Sequence, residues 1–426
     1  MKMKILFTTP VLKYPLAGGP ALRIANSIKA LNEIVELHLI SRVNIKYMGG
    51  IKAEEYYKQY CHKYDYSPSA KKYLFNKIFT YRFKSRLSLI NTFINYPLHI
   101  LSRILRMKGG IIGDAIYISN YAKINEIDII WFGYGNISFE LMKEVKKMLP
   151  KMKMICDTDS VWSRFILREL ETLNDESRKN IIKENGRKKE IEEKEWSEFM
   201  DMTTAVSEVD AEYYKSIAKD SNRVKLFSNV LDLNEYLIKP KPPVNIKKPC
   251  MYLAGTFWRG SPMEQAARWV IHDVLPIIIK TIPGIHFYIV GIDSDKILAD
   301  INDPNITVMG KLYSVLPYLC NADVSLVPLK YESGTRFKIL EAGACGIPIV
   351  STTLGAEGIP VTHGYDILIA DEPEEFAESI VKIITDKQLS NKLSNNCKDL
   401  IQKNYSVNSL MDEANEIINY LTVNND

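Results

Sequence analysis

The sequence predicts an α/β protein of two domains, each a doubly wound parallel sheet. Three observations carry this. The chain opens as strand, glycine loop, helix and strand over residues 4–40. A second strand–loop–helix–strand unit spans 324–352. Such units are the right-handed βαβ steps of parallel sheets. Between them, residues 239–248 read KPKPPVNIKK, a proline-rich, cationic stretch that predicts an extended, stiff linker. At 426 residues the chain also exceeds one ordinary domain. The first domain is therefore placed at 1–240 and the second at 249–406.

Composition removes several classes. A hydrophobic content of 46% with 25% charged residues is that of a soluble globular protein. A net charge of +4 gives no reason to expect nucleic acid as a partner. The six cysteines form no CxxC pair, which predicts reduced, buried thiols and a cytoplasmic location. The histidines do not cluster along the chain, so no metal site is expected. Residues 1–9 read as a strand and not as a signal peptide, and no run approaches the roughly 18 apolar residues of a membrane span.

Taken in order, residues 4–9 form the first strand, and the loop 10–20 carries Gly18 and Gly19. Two adjacent glycines let backbone N–H groups approach a phosphate or sugar. A helix over 21–32 carries Arg23, and a strand over 35–40 follows. Residues 44–126 break the α/β rhythm and are expected to form a helical insertion. Within it, 66–113 holds nine cations, from Lys71 to Lys108, and no acid. Aromatic and aliphatic residues lie between them. Such a stretch suits either an anionic membrane surface or the solvated face of a packed insertion.

Strands resume at 127–132 and 152–156. The second ends in Asp157-Thr158-Asp159-Ser160, at the carboxyl end of a strand, where open sheets bind ligands. Asp159-Ser160 reads equally well as a helix N-cap. A charged helix over 174–199, a strand over 202–207 and a helix behind the Ser207 cap complete the first domain. The second opens with a strand at 250–254 and a loop carrying Thr256 and Arg259, then a helix over 262–275. Further strands are expected at 285–290 and 306–310. The unit at 324–352 holds Ser333, Gly334, Thr335, Arg336, Lys338, Leu340 and Glu341 between its strands. That loop joins glycine, hydroxyls, two cations and the first turn of a helix, the parts that hold a phosphate beside a sugar hydroxyl. A glycine loop with Ala356, Glu357 and Gly358 follows, and the remainder is helical.

The stretch GTRFKILEAGACGIPIVST, residues 334–352, resembles the signature of family 4 retaining glycosyltransferases, which use nucleotide sugars and have the two-domain GT-B fold. The opening loop, D-x-D-S-x-W at 157–162 and the step near 229–232 resemble the same family. The resemblance implies that Glu341 bonds the nucleotide ribose. It implies that Arg259, Arg336 and Lys338 face the diphosphate and act in catalysis. Asp157 stands where many relatives place a histidine and joins them as a catalytic candidate. Gly18, Gly19, Arg23, Thr256, Ser333, Gly334, Thr335, Leu340, Ala356, Glu357 and Gly358 are implied around the donor. Ser333 occupies the position of the family's second glutamate, and Glu332 is one residue out of register. The last helix, 407–426, is implied to cross back to the first domain.

The expected function is transfer of a sugar, with retention, from a UDP- or GDP-linked donor to an acceptor hydroxyl in polysaccharide or glycoconjugate synthesis. No further cofactor and no metal are expected. The expected partners are the nucleotide sugar, a saccharide or lipid-linked saccharide, and an anionic membrane surface met through 66–113. A GT-B sugar-nucleotide epimerase and a catalytically silent nucleotide-sugar-binding subunit are the alternatives.

Overall fold

The computed structural model describes residues 2–16, 18–71, 110–173 and 175–423. Two wholly parallel sheets organise the chain. The first holds β1 (Lys4–Thr9), β2 (Glu36–Ser41), β3 (Lys63–Tyr66), β4 (Ile129–Gly133), β5 (Lys153–Asp157), β6 (Met202–Ala205) and β7 (Val224–Leu226), in the order β3-β2-β1-β4-β5-β6-β7. The second holds β8 (Cys250–Thr256), β9 (His286–Ile292), β10 (Ile306–Val308), β11 (Val324–Val327), β12 (Ile349–Ser351) and β13 (Leu368–Ile369), in the order β10-β9-β8-β11-β12-β13. Helices cover both faces of the inner strands, so these strands are apolar runs without alternation, as in β4, where all five residues are buried. Strand order reverses at β1/β4 and at β8/β11, and the crevices beyond the carboxyl ends there are where such sheets bind ligands.

The insertion expected at 44–126 is not wholly helical. Helices Ile45–Met48 and Ile51–Lys58 lead into β3, which pairs with β2 as the sheet's edge. Its four residues, KYDY, are too few to show an apolar alternation, which is why the sequence hid it. A helix over 110–124 returns the chain and buries Ala115, Ile118 and Ala122 against the first sheet. Most of the basic stretch, 72–109, lies outside the described residues. No helix among the described residues is long and apolar enough to cross a membrane.

The helix expected over 262–275 is interrupted. An α-helix, Pro262–Trp269, widens into a π-turn, Val270–Val274, before Leu275–Thr281 continues. Pro276 lacks an N–H, and its ring would strike the carbonyl four residues back. The wider turn relieves both faults.

The final helix, Val407–Val423, buries Leu410, Ala414, Ile417 and Leu421 beside Ile24, Ala25 and Ile28 of the helix Gly19–Ile34. Glu413 accepts from the N–H and hydroxyl of Ser228 at 2.6 and 2.7 Å. The end of the chain is thus part of the first domain's core.

Candidate functional site

The loops after β1, β5 and β6 of the first domain meet those after β11 and β12 of the second. Arg168 forms a two-pronged ion pair with Glu357 at 2.6 and 2.7 Å and donates to the Glu332 carbonyl at 2.7 Å. Thr335 donates to the Val206 carbonyl at 3.1 Å. Gly334, at φ 81°, passes so close that a Cβ there would stand 2.8 Å from the Asp159 carbonyl oxygen. A Cβ on Gly19 would stand 2.9 Å from the Phe337 ring. Glycine at these two points lets the domains close on one another.

Between them opens a cavity of about 200 Å³, whose walls include Gly19, Arg23, Asp159, Glu332, Ser333 and Thr335. Its second-domain wall is the start of the helix Phe337–Ala344. No side chain caps that helix, so its first N–H groups and positive dipole end are left for a ligand. Arg336 is 3% exposed; it donates to the carbonyls of Gly334 and, at 3.2 Å, Leu354, while its Nε has no partner. Burial pushes its pKa down.

Lys338 stands two residues further on. It makes no hydrogen bond or ion pair among the described residues, and burial lowers its pKa. A desolvated ammonium without a partner is costly unless an anion joins it.

Glu341 follows one turn later on the same helix. Its carboxylate accepts from Tyr236 at 3.1 Å, and burial raises its pKa. Leu340 points away, into the second domain's core. Ser333 presents a buried hydroxyl without a partner.

The other expected donor residues are more dispersed. Thr256, the last residue of β8, and Arg259, on the loop after it, are exposed, and Tyr331 ties that loop down by donating to the Gly260 carbonyl. Ala356 is buried, and Gly358, at φ 82°, lies beside Ser207 of the first domain. Glu357 is engaged by Arg168, so its carboxylate serves domain closure. Gly18, at φ 81°, sets the entry to the first helix in open space.

Asp157 is fully buried beneath the cleft floor. It accepts from Arg23 and, at 2.8 Å, from Thr204, and burial raises its pKa. Arg23 also donates to Asn229 at 2.8 Å and to the Phe227 carbonyl at 3.1 Å. The pair ties the first helix to β5, β6 and the end of β7, and Arg23 reaches the cavity only from below.

The first domain's carboxylate on the cavity wall is Asp159. It accepts from Trp162 Nε1 at 2.9 Å and from Asn136 Nδ2. Tyr134, held at φ 57°, lines the same cavity, and burial with the nearby Asp159 charge keeps its phenol protonated. Asp159 and Ser160 are not helix caps: Val161 precedes the helix Trp162–Arg168, and no side chain caps it. Asp159 was legible as one half of D-x-D. Tyr134 and Tyr236 carried no sequence signal, because each acts through a contact that only folding creates.

Residues 249–386 match the family model described as Glycosyl transferases group 1. A curated relative, an uncharacterized 44.6 kDa protein in the cps region of Klebsiella pneumoniae, is 23% identical over 150 residues. That match takes in 33% of this chain and spans 39% of the relative's length. Among solved structures, HepE of Anabaena in complex with UDP-glucose has a TM-score of 0.63 at 12% identity, over 99% of this chain and 100% of that one. Sucrose-phosphate synthase from Thermosynechococcus elongatus has a TM-score of 0.67 at 14% identity, over 99% and 100%. A mutant of S. aureus TarM in complex with fondaparinux, alpha-GlcNAc-glycerol and UDP has a TM-score of 0.63 at 11% identity, over 98% and 100%. The fold they share is the one built above from the two sheets and their crevices.

Proposed function

We propose, starting from a chain with the GT-B fold whose second domain is that of the group 1 glycosyltransferases, that it moves a sugar from a nucleotide-diphosphate sugar to an acceptor hydroxyl with retention at the anomeric carbon. The observation that carries this is Lys338, a half-buried ammonium without a hydrogen-bonded protein partner, one residue inside an uncapped helix start. A nucleoside diphosphate supplies the missing anion. As the glycosidic bond breaks, charge grows on the departing diphosphate. Lys338, the first N–H groups of Phe337–Ala344 and the exposed Arg259 are the donors available to it.

Glu341 takes the ribose hydroxyls, with Tyr236 fixing its carboxylate. The acceptor enters from the first domain. There a second cavity of about 340 Å³, bordered by Arg42, Asn136 and Ser138, adjoins the first through the Asn136–Asp159 bond. Arg42 Nε and Asn136 Oδ1 are buried there without partners, as donor and acceptor for sugar hydroxyls. Asp159 stands at the junction, where it can orient the incoming hydroxyl. A role in cell-surface polysaccharide or glycoconjugate synthesis is supported by the K. pneumoniae relative in the cps region.

A panel of UDP- and GDP-linked sugars tests the reaction class. A transferase hydrolyses one of them slowly without acceptor. An epimerase would return an isomer, and a silent binding subunit would leave every donor unchanged. Glu341→Ala removes a charge-assisted hydrogen bond of about 1.5–3 kcal/mol and is expected to weaken nucleotide-diphosphate binding roughly ten- to a hundred-fold. Unchanged affinity in a titration would remove Glu341 from the ribose site.

A further inference from the structure

We infer that Glu36, His38 and His62 form a site for one divalent first-row metal ion of the zinc type, at the opposite end of the first sheet from the cleft. The sequence separates the two histidines by 24 positions, and only the pairing of β2 with β3 brings them together. Glu36 opens β2, and His38, two residues on, falls on the same face. His62 precedes β3 and donates its backbone N–H to the Leu37 carbonyl at 2.7 Å, which lays its ring beside that of His38, centroids 5.7 Å apart.

The ligand atoms converge. Glu36 Oε1 lies 3.1 Å from His38 Nε2 and 3.8 Å from His62 Nε2, and the three atoms all lie within 4.8 Å of one another. A tetrahedral zinc ion with bonds of about 2.0–2.1 Å sets its ligands roughly 3.3 Å apart. Glu36 and His38 already have that spacing. The His62 side chain, 56% exposed, is the one free to complete it and leaves the fourth position open to water.

The surroundings of His38 are those of a ligand in waiting. Its ring is buried, and Nδ1 meets the hydroxyl of Tyr121, on the helix over 110–124, at 3.0 Å. Such an outer contact fixes the ring and aims Nε2 at the ion. Two imidazoles and a carboxylate suit zinc and its neighbours better than calcium or magnesium. Lys63, which donates to Asn125 at 2.8 Å, and Lys4, paired with Glu126 at 3.5 Å, face the cluster and oppose a cation. The site is therefore of modest affinity. Its effect is to fasten the short edge strand β3 to β2, away from the transfer chemistry.

Calorimetric titration of the untagged full chain with zinc chloride at neutral pH tests this. The expected result is one equivalent bound and a raised melting temperature, since an ion that binds only the folded chain stabilises it. His62→Ala and Glu36→Gln should each weaken binding at least tenfold, with donor turnover unchanged. Cobalt(II) in place of zinc should give visible bands without thiolate charge transfer. No saturable binding, equal binding by His62→Ala, or a thiolate band that places the ion on cysteine would overturn the assignment.

Discussion

Lys338→Met is expected to lower kcat for donor turnover roughly a hundred- to a thousand-fold, the range seen when one preorganised donor to developing charge is removed, about 3–4 kcal/mol. The ammonium makes no hydrogen bond or ion pair among the described residues, so its removal breaks no direct contact within the fold. The unliganded protein should keep its melting temperature or gain slightly, because a desolvated, unpaired charge has been replaced by an apolar chain of similar length. A fall in kcat with little change in KM means that the contact strengthens in the transition state. Arg336→Ala is the contrasting case. Its guanidinium braces the carbonyls of Gly334 and Leu354, so that variant should melt earlier. A Lys338→Met protein with full kcat, or one that melts much earlier, would show that the ammonium serves the fold and not the diphosphate.

The second large effect is on stability. Asp157→Ala strips the buried Arg23 guanidinium of its counter-charge. Removing one partner of such a pair typically costs about 3–5 kcal/mol, because the remaining charge stays out of water. Several degrees should be lost from the melting temperature of the first domain, with donor affinity of the surviving folded protein nearly unchanged. The opposite pattern, normal melting with turnover abolished, would return Asp157 to the catalytic role implied by its standing where many relatives of the resembled family place a histidine.

These two residues show what a sequence can and cannot carry. The loop from Gly334 to Glu341 was legible as a strand-to-helix step because its backbone needs are local: a glycine at positive φ and a helix that starts three residues later. The inner strands were legible because burial on both faces leaves continuous apolar runs. Asp157 ends β5 and is buried on Arg23, 134 residues earlier, whereas Asp159, two residues on, lies past the strand and reaches the cavity. The edge strand β3 was too short to have a period, and the Glu36, His38 and His62 cluster exists only because β3 pairs in register with β2. Tyr236 meets Glu341 across 105 residues. Such contacts are products of topology, and no window of sequence contains them.

The central claim is that the closed cleft is built around a nucleoside diphosphate, with Lys338 as the unpaired charge awaiting it. Calorimetric titration of the unmodified protein with UDP, GDP, their monophosphates and the free nucleosides tests it most directly. The account predicts saturable binding of one of the two diphosphates. Affinity should fall at least tenfold when the outer phosphate is removed and again when both are absent, and Lys338→Met should erase most of that dependence. Binding that is equal for nucleoside, monophosphate and diphosphate, or no binding of either diphosphate, would contradict it.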